Sequence, residues 1–218
     1  MIRVRLWDGP TRVVHWGLVI ALGLCWWTGE TGRLEWHRWS GYSALGLIVF
    51  RILWGFVGST TSRFRAFFKG PRATLAYLRT LSSRAPSTTV GHNPLGALSI
   101  VAILASLIVQ ITAGLFAVDV DGFESGPLSY LVSFEQGRVA AKIHGVNFTI
   151  LQILAALHVA AIIFYLVYKR TNLIGPMISG RRAFDAEPHL SFVRWPRVVL
   201  VAAIAVIVMI SLSKGLRF

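Results

Sequence analysis

The chain has 218 residues, of which 55% are hydrophobic and 14% are charged. Soluble domains carry about 25% charged residues, so this composition excludes an ordinary soluble domain and indicates an integral membrane protein. The net charge of +13 would suggest a nucleic-acid partner on a soluble chain. Here the basic residues cluster in particular polar segments, so we expect membrane lipid as a partner and no nucleic acid.

Five apolar runs predict helices that cross a bilayer, since a span needs about 20 apolar residues. In chain order they cover residues 13–28, 36–57, 95–118, 142–168 and 198–212. The last run is short and needs flanking residues to span. We therefore expect an all-α integral membrane protein, with a four-helix transmembrane bundle and a fifth, C-terminal transmembrane helix. Residues 1–180 would form the core, and residues 181–218 a cytoplasmic linker and the last helix.

The polar segments between these runs differ in charge. The N-terminus and residues 58–94 and 169–197 are basic, and residues 71–81 predict an amphipathic helix in the membrane interface, with proline at its first position. Residues 29–35 and 119–141 are poorer in basic side chains. Because basic segments stay on the cytoplasmic side, we expect a multi-pass protein with a cytoplasmic N-terminus.

Four of the six histidines lie in the predicted spans. His144 and His158 are fourteen residues apart, which places two imidazoles within about 40° of one helix face and about 21 Å apart along the axis. His37 begins its span on the outer side and His15 begins its span on the cytoplasmic side. The depths therefore pair His37 with His144 and His15 with His158. Two histidines at one depth on facing helices can hold one haem iron from its two faces.

Other roles for these histidines stay open at this point. A membrane histidine is often only a hydrogen-bonding group between helices. Zinc normally takes three or four protein ligands, whereas each depth offers two. Ligation of a haem by methionine is disfavoured, because Met1, Met177 and Met209 lie in unsuitable places. His92 and His189 lie in polar segments and are interpreted as solvated loop residues.

Arg51 is a charged residue in an otherwise apolar predicted span. It follows His37 by fourteen residues, so we expect it near the depth of His15 and His158. A guanidinium suits a carboxylate such as a haem propionate, which makes Arg51 a candidate cofactor-binding residue. The alternative is that its side chain snorkels to the cytoplasmic surface, about two turns away.

Several motifs follow one another in a distinctive order. They are LWDGPTR at 6–12 leading to His15-Trp16, His37 with Gly41-Tyr42, RILWGFVGS at 51–59 followed by Arg63-Phe64, GHNPLG at 91–96, and HGVNF at 144–148 continuing to His158. Their order and spacing resemble the bacterial cytochrome b561 / nickel-iron hydrogenase b-type cytochrome family over residues 3 to about 180.

The resemblance implies a four-helix core in the bacterial inner membrane that holds two b-type haems. It implies that His15, His37, His144 and His158 are the axial ligands, with quinone as a substrate. The C-terminal helix departs from the four-helix members and is more like the longer hydrogenase-type subunits.

We therefore predict a di-haem cytochrome that moves electrons across the bilayer between a periplasmic donor and the quinone pool. The donor would be a c-type cytochrome or a dehydrogenase or hydrogenase subunit, and no catalytic side chain is assigned. The alternative is a self-standing oxidoreductase, such as one oxidising superoxide with quinone as acceptor. The acidic residues in 119–141 favour docking of a basic protein. They are Asp119, Asp121, Glu124 and Glu135.

Overall fold

The computed structural model describes residues 2–67, 70–121 and 124–217, and the chain is mostly helical. The elements in chain order are β1 (Ile2–Arg5), α1 (Gly9–Glu30), α2 (Leu34–Val57), α3 (Phe64–Phe67), α4 (Pro71–Leu78), α5 (Pro94–Phe116), α6 (Phe134–Val167), α7 (Ile174–Ser179), β2 (Arg181–Phe184) and α8 (Trp195–Ser213). Short 3₁₀ turns cover Thr60–Ser62 and Ser129–Leu131.

Among the described residues, four helices are long and apolar enough to cross a membrane, namely α2, α5, α6 and α8. α1 has 22 residues but is more polar, since it includes Arg12, His15 and Glu30. It packs antiparallel against α2. A Cβ at Gly17, in the first half of α1, would lie 3.1 Å from Leu47, in the second half of α2. The expected all-α membrane bundle is confirmed, and the C-terminal helix is one of the helices able to span.

Local hydrogen bonds explain where the helices begin. Asp8 caps α1 by accepting a hydrogen bond from the Thr11 N–H at 2.8 Å, and Asn93 caps α5 in the same way. α6 begins at Phe134, because Ser133 and Gln136 form a reciprocal capping box. The expectation that residues 134–141 are loop was therefore wrong, since the apolar run starts later than the helix does.

The interfacial helix and the N-terminal segment differ from expectation in detail. α4 starts at Pro71, as predicted, but ends at Leu78 rather than residue 81. The N-terminal segment forms β1, which pairs antiparallel with β2 over Ile2↔Phe184 to Arg5↔Arg181. Sequence periodicity could not reveal two four-residue strands that meet across about 180 residues.

Three basic segments meet at one end of the bundle, which we call the basic end. The Leu6 N–H donates to the Gly180 carbonyl at 2.8 Å, and the Thr61 hydroxyl donates to the Leu6 carbonyl at 2.7 Å. The Thr60 N–H donates to the Ser191 carbonyl at 3.0 Å. The N-terminus and residues from 58–94 and 169–197 thus share one end, as the charge pattern predicted.

Two buried clusters join the helices. Val14 of α1, Phe50 and Trp54 of α2, and Val201 and Ala205 of α8 form one cluster. The other joins α2, α5 and α6 through Ile48, Leu107 and Leu151. At the opposite end of the bundle, the Tyr130 hydroxyl donates to the Gly215 carbonyl at 2.7 Å. α8 therefore runs the length of the bundle, while the predicted domain division at residue 180 stays a prediction.

Candidate functional site

The four histidines of α1, α2 and α6 lie as two pairs of neighbouring rings. The ring centroids of His37 and His144 are 6.0 Å apart, and those of His15 and His158 are 6.5 Å apart. Metal–imidazole bonds are about 2 Å long and the nitrogen lies about 1 Å from the ring centre, so two imidazoles opposed across one metal have centroids about 6 Å apart. Both pairs have the separation that a shared metal ion requires.

Backbone carbonyls hold the rings of the His37–His144 pair. The Nδ1 of His37 lies 2.8 Å from the Cys25 carbonyl oxygen, and the Nδ1 of His144 lies 2.9 Å from that of Gln110. A neutral imidazole that donates from Nδ1 keeps the lone pair of Nε2 for a metal. The two side chains are therefore prepared to ligate through Nε2.

Glycines in the neighbouring helices make room for these two rings. A Cβ at Gly29 would lie 3.3 Å from Nδ1 of His37, and a Cβ at Gly114 would lie 3.0 Å from Cε1 of His144. Such distances are shorter than ordinary van der Waals contact. Each ring therefore lies directly against the backbone of the adjacent helix, within reach of the carbonyl that binds it.

A buried polar network beside His144 joins α5 to α6. The Asn147 amide donates to the Gln110 side chain at 2.7 Å and to the Ser106 carbonyl at 2.9 Å, and the Ser106 hydroxyl donates back at 3.2 Å. This network fixes the register between the helix that carries His144 and the helix that binds its Nδ1. Sequence reasoning missed Ser106 and Gln110 and noted Asn147 only within the HGVNF motif, although polar side chains in apolar runs are the signal that could have found this network.

The His15–His158 pair has different surroundings. The Nδ1 of His15 is buried and has no hydrogen-bond partner among the described residues. A buried polar nitrogen without a partner costs about 1–3 kcal/mol. A bound molecule with a polar group against Nδ1 of His15 would remove that cost, so this nitrogen is a place where a ligand can bind.

His92 lies beside this second pair. Its ring centroid is 4.6 Å from that of Trp7. Burial, together with the charges of Arg51, His158 and His15, lowers the pKa of His92 to about 3, so the ring is neutral at physiological pH. The interpretation of His92 as a solvated loop residue was therefore wrong.

Arg51 is buried rather than extended to the surface. Its side chain is 9% exposed, its Nη1 donates to the Ser62 carbonyl at 3.4 Å, and its guanidinium lies 5.1 Å from the centre of the Phe64 ring. The guanidinium is therefore shielded from water although it reaches the polar segment after α2, and its role toward a haem propionate stays a prediction. Arg51, His158 and His15 all contribute to the lowered pKa of His92, so each of them lies within electrostatic range of His92; the predicted depth of Arg51 stays a prediction.

Asp8 is the buried acid that balances Arg51. It is 2% exposed and accepts hydrogen bonds from the Trp54 indole at 3.0 Å and the Ser62 hydroxyl at 3.3 Å. Burial alone would raise the pKa of Asp8, but hydrogen bonds led by that from Ser59 lower it. The ionised carboxylate thus joins the LWDGPTR motif to the residues that follow RILWGFVGS.

The described part of the chain contains no group of three or more His, Cys, Asp or Glu side chains that could hold a metal ion. A structural or catalytic zinc site normally uses three or four protein ligands, so the zinc alternative gains no support. Each histidine pair brings together two imidazoles, which is fewer than such a zinc site uses.

Apolar helices that carry paired histidines are typical of a membrane cytochrome of the b type. Residues 6–180 match the family model described as prokaryotic cytochrome b561, which is most of the 218-residue chain. The chain belongs to this family, and it is a multi-pass membrane protein that binds b-type haem and transfers electrons. Comparisons with curated proteins and with solved structures give no match.

Proposed function

We propose that the protein holds two haems b and moves electrons across the bilayer between a periplasmic donor and the quinone pool. The observation that carries this proposal is that two histidines of α6, His144 and His158, each lie beside a histidine of another helix. The two resulting pairs are about 21 Å apart along α6. Haem iron, when bound, supplies one-electron redox chemistry. His37 with His144, and His15 with His158, would each hold one haem, so neither iron would serve to bind oxygen.

The orientation belongs to the same proposal. The three basic segments at the basic end would face the cytoplasm under the positive-inside rule, in the bacterial inner membrane. The His15–His158 pair then lies toward the cytoplasm and the His37–His144 pair toward the periplasm. Arg51 would bind a haem propionate at the cytoplasmic depth, since it is buried and lies within electrostatic range of His92.

The donor would approach the opposite end, where the acidic loop lies. Asp121 is exposed, while Glu124 forms an ion pair with Arg38 and its N–H donates to Asp119 at 3.1 Å. The pair with Arg38 reduces the charge available for steering, so the exposed Asp121 and Glu135 carry most of it. This loop favours a protein donor such as a c-type cytochrome or a dehydrogenase or hydrogenase subunit.

A second candidate is a self-standing oxidoreductase that takes a small anion such as superoxide at the periplasmic side and uses quinone as acceptor. Arg33 favours it, because this residue has no ion pair with a carboxylate in the described part of the chain and lies four residues before His37. Lys142 also favours it, since it lies two residues before His144. The opposing observation is that Arg38 is already paired with Glu124 and that Arg138 donates to the Val118 carbonyl.

The proposal is tested in liposomes with ferricyanide trapped inside and a membrane-impermeant reductant outside. We expect the wild-type protein to reduce the trapped ferricyanide, and quinone added to the bilayer to be reduced as well. His37→Ala and His158→Ala should each stop transfer to the trapped acceptor, because each breaks the path at a different depth. The matched control is His189→Ala at an exposed loop position. Undiminished transfer by either single variant would contradict the proposal.

A further inference from the structure

A basic groove lies between the segment after α2 and the beginning of α8. Its cavity measures about 580 Å³ and is lined by Arg63, Arg194 and Arg197 together with Phe192, Pro196 and Leu200. Most of these residues lie beyond residue 180, where the family match ends. The groove is therefore a feature of the C-terminal extension packed on the cytochrome core.

The three guanidinium groups of the groove have no acidic partner. No carboxylate in the described part of the chain lies within ion-pair distance of them. Arg63 donates from Nε to the Gly58 carbonyl at 2.7 Å, and Arg197 donates from Nη1 to the Val57 carbonyl at 3.4 Å. These bonds hold two of the groups in place while leaving their other N–H donors for a ligand, and fixed arginine donors suit the oxygens of a phosphate.

The groove lies at the level of the lipid headgroups. Trp195, the first residue of α8, is 72% exposed, and exposed tryptophan at the end of a span marks the interface between lipid and water. The adjacent Arg194 and Arg197 therefore lie where lipid phosphates lie. Both the arginine side chains and the position of the groove therefore suit the phosphate of a lipid headgroup.

An exposed apolar stripe on α8 runs from the groove toward the middle of the bilayer. It consists of Leu200, Ile204 and Ile207, which are 59%, 40% and 63% exposed. Their spacing of four and three residues places them on one helix face. A ligand whose phosphate lies in the groove would thus have a surface for its acyl chains directly below.

We propose that this groove binds one anionic phospholipid, with the phosphate among Arg63, Arg194 and Arg197 and the acyl chains along the α8 stripe. The lipid would fasten the C-terminal helix to the segment that follows α2. This proposal does not depend on how the haems are ligated.

The test counts lipids on the full-length, haem-loaded protein by native mass spectrometry. The protein is transferred into nanodiscs of phosphatidylcholine with a minor fraction of phosphatidylglycerol, and is then released and weighed. We expect the wild type to retain one phosphatidylglycerol. The triple variant Arg63→Gln, Arg194→Gln, Arg197→Gln should lose about 100-fold in apparent affinity for it, since each cation near the lipid surface contributes about fivefold.

The matched control removes three exposed arginines elsewhere at the basic end, by Arg72→Gln, Arg79→Gln and Arg181→Gln. The control has the same net charge as the triple variant, so a nonspecific attraction would weaken equally in both. Equal retention of phosphatidylglycerol by the triple variant and the control would overturn the proposal.

A single variant and a competing ligand test whether Arg194 is needed and whether the ligand is a lipid rather than free phosphate. Arg194 makes no side-chain hydrogen bond or ion pair with the described residues, so Arg194→Glu should fold, keep its haem spectrum and still lose the lipid. Inorganic phosphate at millimolar concentration should leave the bound phosphatidylglycerol in place. Displacement by phosphate alone, or full retention by Arg194→Glu, would overturn the assignment to a lipid.

Discussion

The ring nitrogens of the histidines determine what each pair can do. At His37 and His144 the carbonyls of Cys25 and Gln110 engage Nδ1, so Nε2 is the atom that would ligate a haem iron under the proposed function. At His15 the Nδ1 is buried without a partner among the described residues. The pairs therefore differ in basicity and surroundings, and we expect the two haems to have distinct spectra and potentials.

Single replacements should remove one haem at a time. His37→Ala or His144→Ala should lose the periplasmic haem, while His15→Ala or His158→Ala should lose the cytoplasmic one, because each variant deletes one axial ligand of one iron. Low-temperature absorption spectra and haem content per chain measure the loss, with His189→Ala as the control. If His37→Ala and His15→Ala lost the same spectral component, the pairing would be wrong.

Arg51 should influence the potential of one haem. Arg51→Leu removes a buried positive charge, which favours the oxidised iron and lowers the potential of the haem at His15–His158. A unit charge about 10 Å away contributes roughly 2 kcal/mol at an effective dielectric constant of about 20. A redox titration measures the shift, and the haem at His37–His144 is its internal control. A shift confined to that other haem would contradict the placement of Arg51.

Residue spacing predicted the histidine pairs because one helix with a regular rise carries His144 and His158. It could not predict the place of His92, which follows a polar segment whose path depends on contacts with residues far away in the chain. The electrostatic interaction between the buried charges of Arg51 and Asp8 was missed for the same reason. Asp8 reaches Trp54 only after α1 and α2 have packed against each other.

At the scale of elements, the contact between α5 and α6 positions His144. Gly114 lies against the His144 ring, and Asn147 joins Gln110 and Ser106 across the same contact. Apolar runs predicted both helices, because long hydrophobic segments are a strong signal. The start of α6 was misplaced, since a capping box at Ser133 is a polar signal outside the apolar run.

A side chain at Gly114 should disturb this contact. Gly114→Val places methyl groups where the His144 ring lies, and overpacking of this kind costs about 1–3 kcal/mol. We expect loss or weakening of the haem at His37–His144 with the other haem retained, as measured by haem content and spectra. Gly23→Val is the control, because nothing lies within 4 Å of a Cβ at Gly23. Equal spectra for the two variants would contradict the role of Gly114.

At the scale of the whole molecule, the bundle has two chemically different ends. The N-terminal strand, the segment after α2 and the segment after α7 meet at the basic end, while Asp119, Asp121 and Glu124 lie at the other. The charge pattern of the sequence predicted this separation, since insertion into a membrane sorts basic segments to one side. The β1–β2 pairing that fastens the basic end was not predicted.

The acidic end should accelerate docking of a basic donor. Asp121→Asn with Glu135→Gln should slow reduction by a cytochrome c, because exposed charges steer a partner over about 8 Å at 0.15 M salt. Stopped-flow rates at several ionic strengths measure this effect, and a small neutral reductant is the control. A double variant with the parent's rate and salt dependence would exclude this loop as the docking site and favour the small-anion donor.

Under the proposed function, one chain holds two haems, each between two histidines. The most direct test is the haem content of the purified full-length protein by the pyridine haemochrome assay, together with its electron paramagnetic resonance spectrum. We expect two haems b per chain and two low-spin ferric signals typical of ligation by two imidazoles. One haem per chain, or a high-spin signal from an iron with an open position, would contradict the account.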